Sequence, residues 1–226
     1  MFKNKTYIMF MILFLFIISF FIFINVKGKN SIGIKSIKAN SEILSNKKIE
    51  WGIKRGKDNS QPDVGVENRR LLDKYDGIYL GSNDKKNVYL TFDLGYEAGY
   101  TKKILDVLKE NDVKAAFFVT GHYFNKEKEL LNRMIEEGHI IGNHTVNHPS
   151  MPDIDDEKLK KEIMDLHTAI FEEMGYEMKY IRPPKGEYSE KTLDLSKKLG
   201  YITAMWSFAY DDWDESKQRK IWLWKS

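Results

Sequence analysis

Apolar positions along the chain fall into three regimes. The first is "YIMFMILFLFIISFFIFINV", residues 7 to 26, an apolar run without one formal charge. At ~1.5 Å of rise per residue, a helix of this length matches the ~30 Å hydrocarbon core of a bilayer. From 27 to about 50 the chain is rich in Lys, Ser and Asn with no sustained period, which predicts a solvated linker. After that, short apolar runs alternate with amphipathic stretches. "NVYLTFD" (87–93), "VKAAFFVT" (113–120), "HIIGN" (139–143), "KYIRPP" (179–184) and "YITAMWS" (201–207) predict strands. Between them, 100–111, 125–138, 153–175 and 189–200 carry apolar residues at helical spacing, and Gly138 and Gly175 close two of these stretches.

Repeated strand–helix alternation predicts an α/β fold with parallel strands and helical crossovers. A (β/α) barrel and an open doubly wound sheet both satisfy the pattern, and both place chemistry at the C-terminal ends of the strands. The polar residues obey that rule. Asp93 closes the first strand, His144 follows the third, Arg182 closes the fourth and Asp212 follows the fifth.

Composition narrows the class. The 226 residues are 42% hydrophobic and 31% charged, enough apolar content for a sizeable core. A net charge of +3 without a basic–aromatic patch gives no support for nucleic-acid binding. There is no cysteine, so disulfides and thiolate metal sites are excluded. The apolar run ends in "NVKGKN" with no A-x-A cleavage pattern, so a retained membrane anchor over 1–26 is expected rather than a cleaved signal that would release the domain. Residues 27–50 then form the linker and 51–226 the folded domain. Lys3 and Lys5 before the run are matched by Lys27, Lys29, Lys35 and Lys38 after it, so charge alone does not set orientation.

His144 and His148 stand four apart, a spacing at which two imidazoles reach one divalent ion. Thr145 follows His144, so the H-E-x-x-H metalloprotease pattern is absent. With Asp93 and Arg182 on the same rim, the pair becomes a candidate hydrolytic metal site.

These residues resemble the motifs of the polysaccharide deacetylases, carbohydrate esterase family 4. "TFDLGYE" resembles TFDDG, "HTVNH" fits H-[ST]-x-x-H, "RPPKG" fits R-x-x-x-G and "DDW" fits the end of D-x-x-D-W, all in family order over about 88–213. The resemblance implies a distorted (β/α) barrel that removes N-acetyl groups from a sugar polymer. It implies Asp93 as general base, His144 and His148 as ligands of a zinc-like divalent ion, and Arg182 as the residue that orients Asp93. It further implies that Asp212 tunes a catalytic-acid histidine and that Trp213 walls the substrate groove. "WGIKR", "QPDVG" and "LLDKYDGIYLG" are similar to the subgroup that deacetylates N-acetylmuramic acid in peptidoglycan, on the route to muramic δ-lactam in spore cortex. Such a substrate implies glycan strands as partner and an extracytoplasmic domain on a single-pass anchor.

Three departures modify the expectation. Leu94 replaces the acid that is the family's third metal ligand, so a weakly held ion is expected. Lys185 stands before the motif glycine, where the family often has an aromatic residue, and is the candidate partner for the lactyl carboxylate of muramic acid. Beyond Asp214 the chain reads "ESKQRKIWLWKS", without the family's late leucine–histidine motif. A barrel incomplete at the C-terminus, bare at both sheet edges and nearly inactive, is the expectation from that tail. The alternatives are a deacetylase of another N-acetylglucosamine polymer and an inactive wall-associated protein.

Overall fold

A computed structural model describes residues 43–57, 60–82, 84 and 86–209. The expected anchor, most of the linker, Asp212 and Trp213 lie outside these residues. Among the described residues no helix is long and apolar enough to cross a membrane.

Five parallel strands form the sheet: β2 (Thr91–Leu94), β3 (Ala116–Val119), β4 (Ile140–Asn143), β5 (Tyr180–Ile181) and β7 (Ile202–Thr203), in that spatial order. The order follows the chain and never reverses, which sets this sheet apart from a doubly wound one. Registers Phe92↔Phe117, Phe117↔Ile141, Asn143↔Ile181 and Ile181↔Thr203 bring the strand ends to one rim.

The crossover helices are α2 (Thr101–Glu110), α4 (Lys128–Glu136), α5 (Asp156–Met174) and α6 (Glu190–Lys198). Local chemistry sets their ends. The Asp155 side chain accepts the Lys158 N–H at the start of α5, and Gly175 ends it at φ 66°. Ser189 and Thr192 form a reciprocal capping box on α6. Apolar faces of α2, α4 and α5 enclose β3 and β4 in a core that includes Leu105, Phe117, Leu131, Met134, Ile141, Ile163, Ile170 and Ile181. Each such side chain contributes about 1.5–3 kcal/mol by leaving water.

The first strand is shorter than its apolar run. Val88 and Tyr89 are exposed, and the ladder begins where Ala116 N–H donates to Leu90 O. The stretch 125–138 is two helices rather than one. A short α3 (Gly121–Lys126) is N-capped by Thr120 Oγ1, and Glu127, at φ −120° and ψ 41°, breaks the chain before α4.

The segment preceding β2 builds a second core. Here β1 (Ile49–Glu50) pairs antiparallel with β6 (Glu187–Tyr188), and α1 (Val66–Lys74) buries Leu71 and Leu72 against Trp51, Tyr188 and Leu193. The folded unit therefore starts at Leu44, inside the expected linker. Ser45 O accepts the Lys191 N–H and Asn46 bonds Pro152 O and Ser189 Oγ, so this part of the chain is docked rather than a tether. The same segment covers one sheet edge. Ile78 N–H donates to Thr203 O, and Met205 N–H donates to Ile78 O, both at 2.8 Å. The outer side of β7 is thus paired, contrary to the expectation of a bare edge there, because a short extended piece from early in the chain supplies the partner.

Candidate active site

Three strand ends converge on the rim. Asp93 lies within β2, Arg182 follows β5, and His144 follows β4. Arg182 is buried and donates three hydrogen bonds from Nε and Nη1. Its Nε donates to Ala204 O at 3.0 Å, and its Nη1 donates to Thr91 Oγ1 at 2.9 Å and to Asp93 Oδ1 at 2.7 Å. The guanidinium lies 4.1 Å from the centroid of Phe118, so it is stacked as well as bonded. Burial lowers the Arg182 pKa and the Asp93 charge opposes that shift. Asp93 thus has one oxygen fixed by Arg182, while Oδ2 lies 3.8 Å from His144 Nε2.

His144 is buried, and its Nδ1 sits 2.8 Å from the Arg182 carbonyl oxygen. A carbonyl only accepts, so Nδ1 carries the proton and Nε2 presents its lone pair toward the rim. The His148 ring stands 4.8 Å from it, tilted at 65°. Desolvation is the main cause that pushes His144 down to about 4, against the raising effect of Asp93. His148 is also lowered, first by desolvation and then by the Lys185 charge. Both imidazoles are therefore neutral near pH 7, the form that binds a divalent ion. The donor set fits such an ion with two protein ligands. Among the described residues no group of three or more His, Asp or Glu gathers around one point. Leu94 ends β2 half-buried against the main core.

The turn that carries the histidines is held from behind. Asn143 is fully buried; its Oδ1 accepts the Thr145 N–H, and its Nδ2 donates to Ile163 O and Tyr201 Oη. His148 N–H donates to Thr145 Oγ1. Thr145 and His148 take left-handed φ values of 64° and 55°, conformations that cost about 1–3 kcal/mol each for non-glycine residues.

Lys185 is exposed on the turn after β5, at φ 59°. Its charge reaches His148, Asp153 and Glu187. Gly186 follows at φ 68°, and an added Cβ there would stand 2.6 Å from Trp206 and 3.0 Å from Trp51, so this motif position accepts only glycine. Trp51 fastens the turn, because its N–H donates to Gly186 O and its Nε1 donates to Trp206 O, both at 2.9 Å.

Asp93, Arg182, His144 and His148 are thus brought together, with Lys185 beside them. Asp212 and Trp213 lie outside the described residues. Sequence alone does not single out Asn143 or Trp206; Trp51 appears only as part of the subgroup motif "WGIKR", and "AMWS" marks Trp206 by its aromatic character. The remaining histidines are elsewhere. His122 is exposed on α3, His139 is buried with Nδ1 accepting the Ala115 N–H, and His167 bonds Tyr201 Oη at 2.6 Å.

The sequence profile of the polysaccharide deacetylase family matches residues 81–204. The chain is 42% identical over 182 residues to the peptidoglycan-N-acetylmuramic acid deacetylase PdaA of Bacillus subtilis, covering 80% of this chain and 69% of PdaA. The structure of PdaA superposes with a TM-score of 0.75 over 78% of this chain and 76% of that one. A family 4 carbohydrate esterase from Bacillus anthracis is 49% identical, with a TM-score of 0.69 over 76% of this chain and 78% of that one. A peptidoglycan-N-acetylglucosamine deacetylase of Bacillus cereus is 36% identical over 142 residues, 63% of this chain and 52% of its own length.

Proposed function

Because the chain belongs to the polysaccharide deacetylase family, we propose that it hydrolyses the N-acetyl group of N-acetylmuramic acid in peptidoglycan, on the route to cortex δ-lactam. The observation that carries this reading is the Asp93 carboxylate, gripped by Arg182 on one oxygen and facing His144 Nε2 with the other.

An acetamide is a poor electrophile, and attack on it needs an activated water and a stabilised oxyanion. A divalent ion held by His144 Nε2 and His148 would acidify that water and polarise the acetyl carbonyl. In this reading Asp93 Oδ2 takes the water's proton, and the Arg182 hydrogen bond to Oδ1 keeps the carboxylate aimed. The hydrogen bond from His144 Nδ1 to Arg182 O holds the ring in one tautomer, so the lone pair on Nε2 stays available. Trp213 is proposed as a wall of the substrate groove, and Asp212, whose partner in the family is the histidine of the late leucine–histidine motif, is given no role in this step. Lys185 is proposed to read the lactyl carboxylate that muramic acid carries and glucosamine lacks. With a substrate outside the membrane, residues 7–26 are assigned as a single-pass anchor with the catalytic domain on the extracytoplasmic side.

Acetate release from muramyl glycan strands stripped of stem peptides tests the activity. Turnover that is lost on Asp93→Asn supports the reading; no turnover in the presence of zinc, with a folded protein, refutes it. The likeness to an N-acetylglucosamine deacetylase favours a second reading, in which the acetyl group comes from glucosamine residues. Equal rates on chitooligosaccharides and on muramyl strands would support that one.

A further inference from the structure

The turn from His144 to His148 contains no glycine, yet two of its residues sit in the left-handed region. Hydrogen bonding must hold it there, and one side chain stands out. Glu162, on α5, is 6% exposed. Its Oε2 accepts the Asn147 N–H and its Oε1 accepts Asn147 Nδ2, both at 2.8 Å. Its backbone carbonyl accepts the Val146 N–H at 3.1 Å. The whole outer half of the turn is therefore suspended from one residue of the helix behind it.

Among the described residues no Lys or Arg forms an ion pair with Glu162. A carboxylate buried on neutral donors is costly, and a purely mechanical clamp would be expected to avoid the charge. Two considerations explain a carboxylate here. Asn147 presents two N–H donors, and only a carboxylate offers two acceptors on one fork, since a glutamine would set its own N–H against one of them. In addition, a negative charge behind the turn is matched by the positive charge the two imidazoles are suited to hold in front of it.

We infer that Glu162 is a positioning residue for the metal site: through Asn147 it fixes the His148 arm of the turn and supplies the counter-charge behind it. The inference rests on the reading of His144 and His148 as metal ligands. The probe is Zn²⁺ alone, titrated calorimetrically into the full chain, with the metal-free melt recorded for every variant. Glu162→Gln should weaken zinc binding roughly 10–100-fold, the usual range for such outer-shell partners. Asn147→Ala removes the exposed end of the clamp and should weaken binding by a smaller factor, with the metal-free Tm held within about 2 °C, as for a surface substitution. Combining Glu162→Gln with Asn147→Asp restores a donor for each acceptor and returns a carboxylate beside His148, so it should recover most of the lost affinity. A purely structural role would move the melt and leave the zinc Kd of the folded variants unchanged, and that result overturns the inference. Should Glu162→Gln fail to fold, unchanged affinity in Asn147→Ala has the same force. Absence of zinc binding in the parent, or binding that survives His144→Ala, refutes the metal site itself, and that failure is visible before any clamp variant is made.

Discussion

Replacing Arg182 by lysine keeps the charge and removes the fork. In the parent one guanidinium serves Ala204 O, Thr91 Oγ1 and Asp93 Oδ1, and stacks 4.1 Å from Phe118. A lysine ammonium reaching Asp93 cannot also lie flat on the ring and bond the carbonyl of β7's neighbour. Loss of the charged hydrogen bond to Ala204 O costs about 1.5–3 kcal/mol. Loss of the stacked cation adds about 0.5–2 kcal/mol. Together the two losses should lower the unfolding free energy of Arg182→Lys by about 2–5 kcal/mol. The catalytic effect is separate. Asp93 would be held at one point by a flexible chain, and misplacement on the scale of ~1 Å costs about 10²-fold in rate. Urea unfolding reads the first number, and acetate release with kcat and KM resolved reads the second. The fall should lie in kcat, because substrate contacts are untouched. A variant that keeps its urea midpoint and its kcat would show that neither the stack nor the fork orients Asp93, and the account of the site would fail.

Three further outcomes follow from the same geometry. Asp93→Asn should lower kcat by about 10²–10⁴-fold while zinc affinity, measured by calorimetry, changes far less. Lys185→Ala should reduce kcat/KM for muramyl strands by about 10-fold, the lower end for a charge-assisted contact at an exposed residue, and leave chitooligosaccharide turnover unaltered; equal losses on both substrates would remove Lys185 from the specificity argument. His139 is buried, and desolvation lowers its pKa against the raising influence of Glu137. The unfolded chain therefore takes up that proton first, so this residue's contribution to stability is complete above the ordinary imidazole range and is lost as pH falls through it, at up to about 1.4 kcal/mol per pH unit. His139→Asn keeps an acceptor for the Ala115 N–H without the titration, and its urea midpoint should fall less than the parent's between pH 7 and 5.

The sheet and the centre of the site were legible in sequence because both depend on near neighbours. Period and strand-end position brought Asp93, His144 and Arg182 to one rim, and four-residue spacing paired the histidines. What escaped depends on distant partners. The strand Ile49–Glu50 is too short to carry a period and exists only because Glu187–Tyr188 lies beside it. Ile78 has no strand of its own and becomes sheet only against β7. Glu162 reads as one charge among many on a helix rich in Lys and Glu, and nothing local says that it faces inward to Asn147. The break within 125–138 lies at Glu127, whose φ of −120° and ψ of 41° a helical apolar period does not register.

The docking of the early segment onto the late strands has a consequence for the order in which the molecule forms. The bond from Trp51 to Trp206 joins residues 155 apart, and the contact of Ile78 with β7 likewise spans most of the domain. During synthesis β2, β3 and β4 can pair with their neighbours as they emerge, since each crossover is short. Trp51, Leu71 and Leu72 cannot, because Tyr188, Leu193 and Met205 do not yet exist. These long-range closures are slow to find, and until they form the apolar side chains of α1 remain in water. Within the folded unit, the segment that completes the second core is thus the first made and the last to settle, and α1 finds its apolar partners only after Met205 has been added.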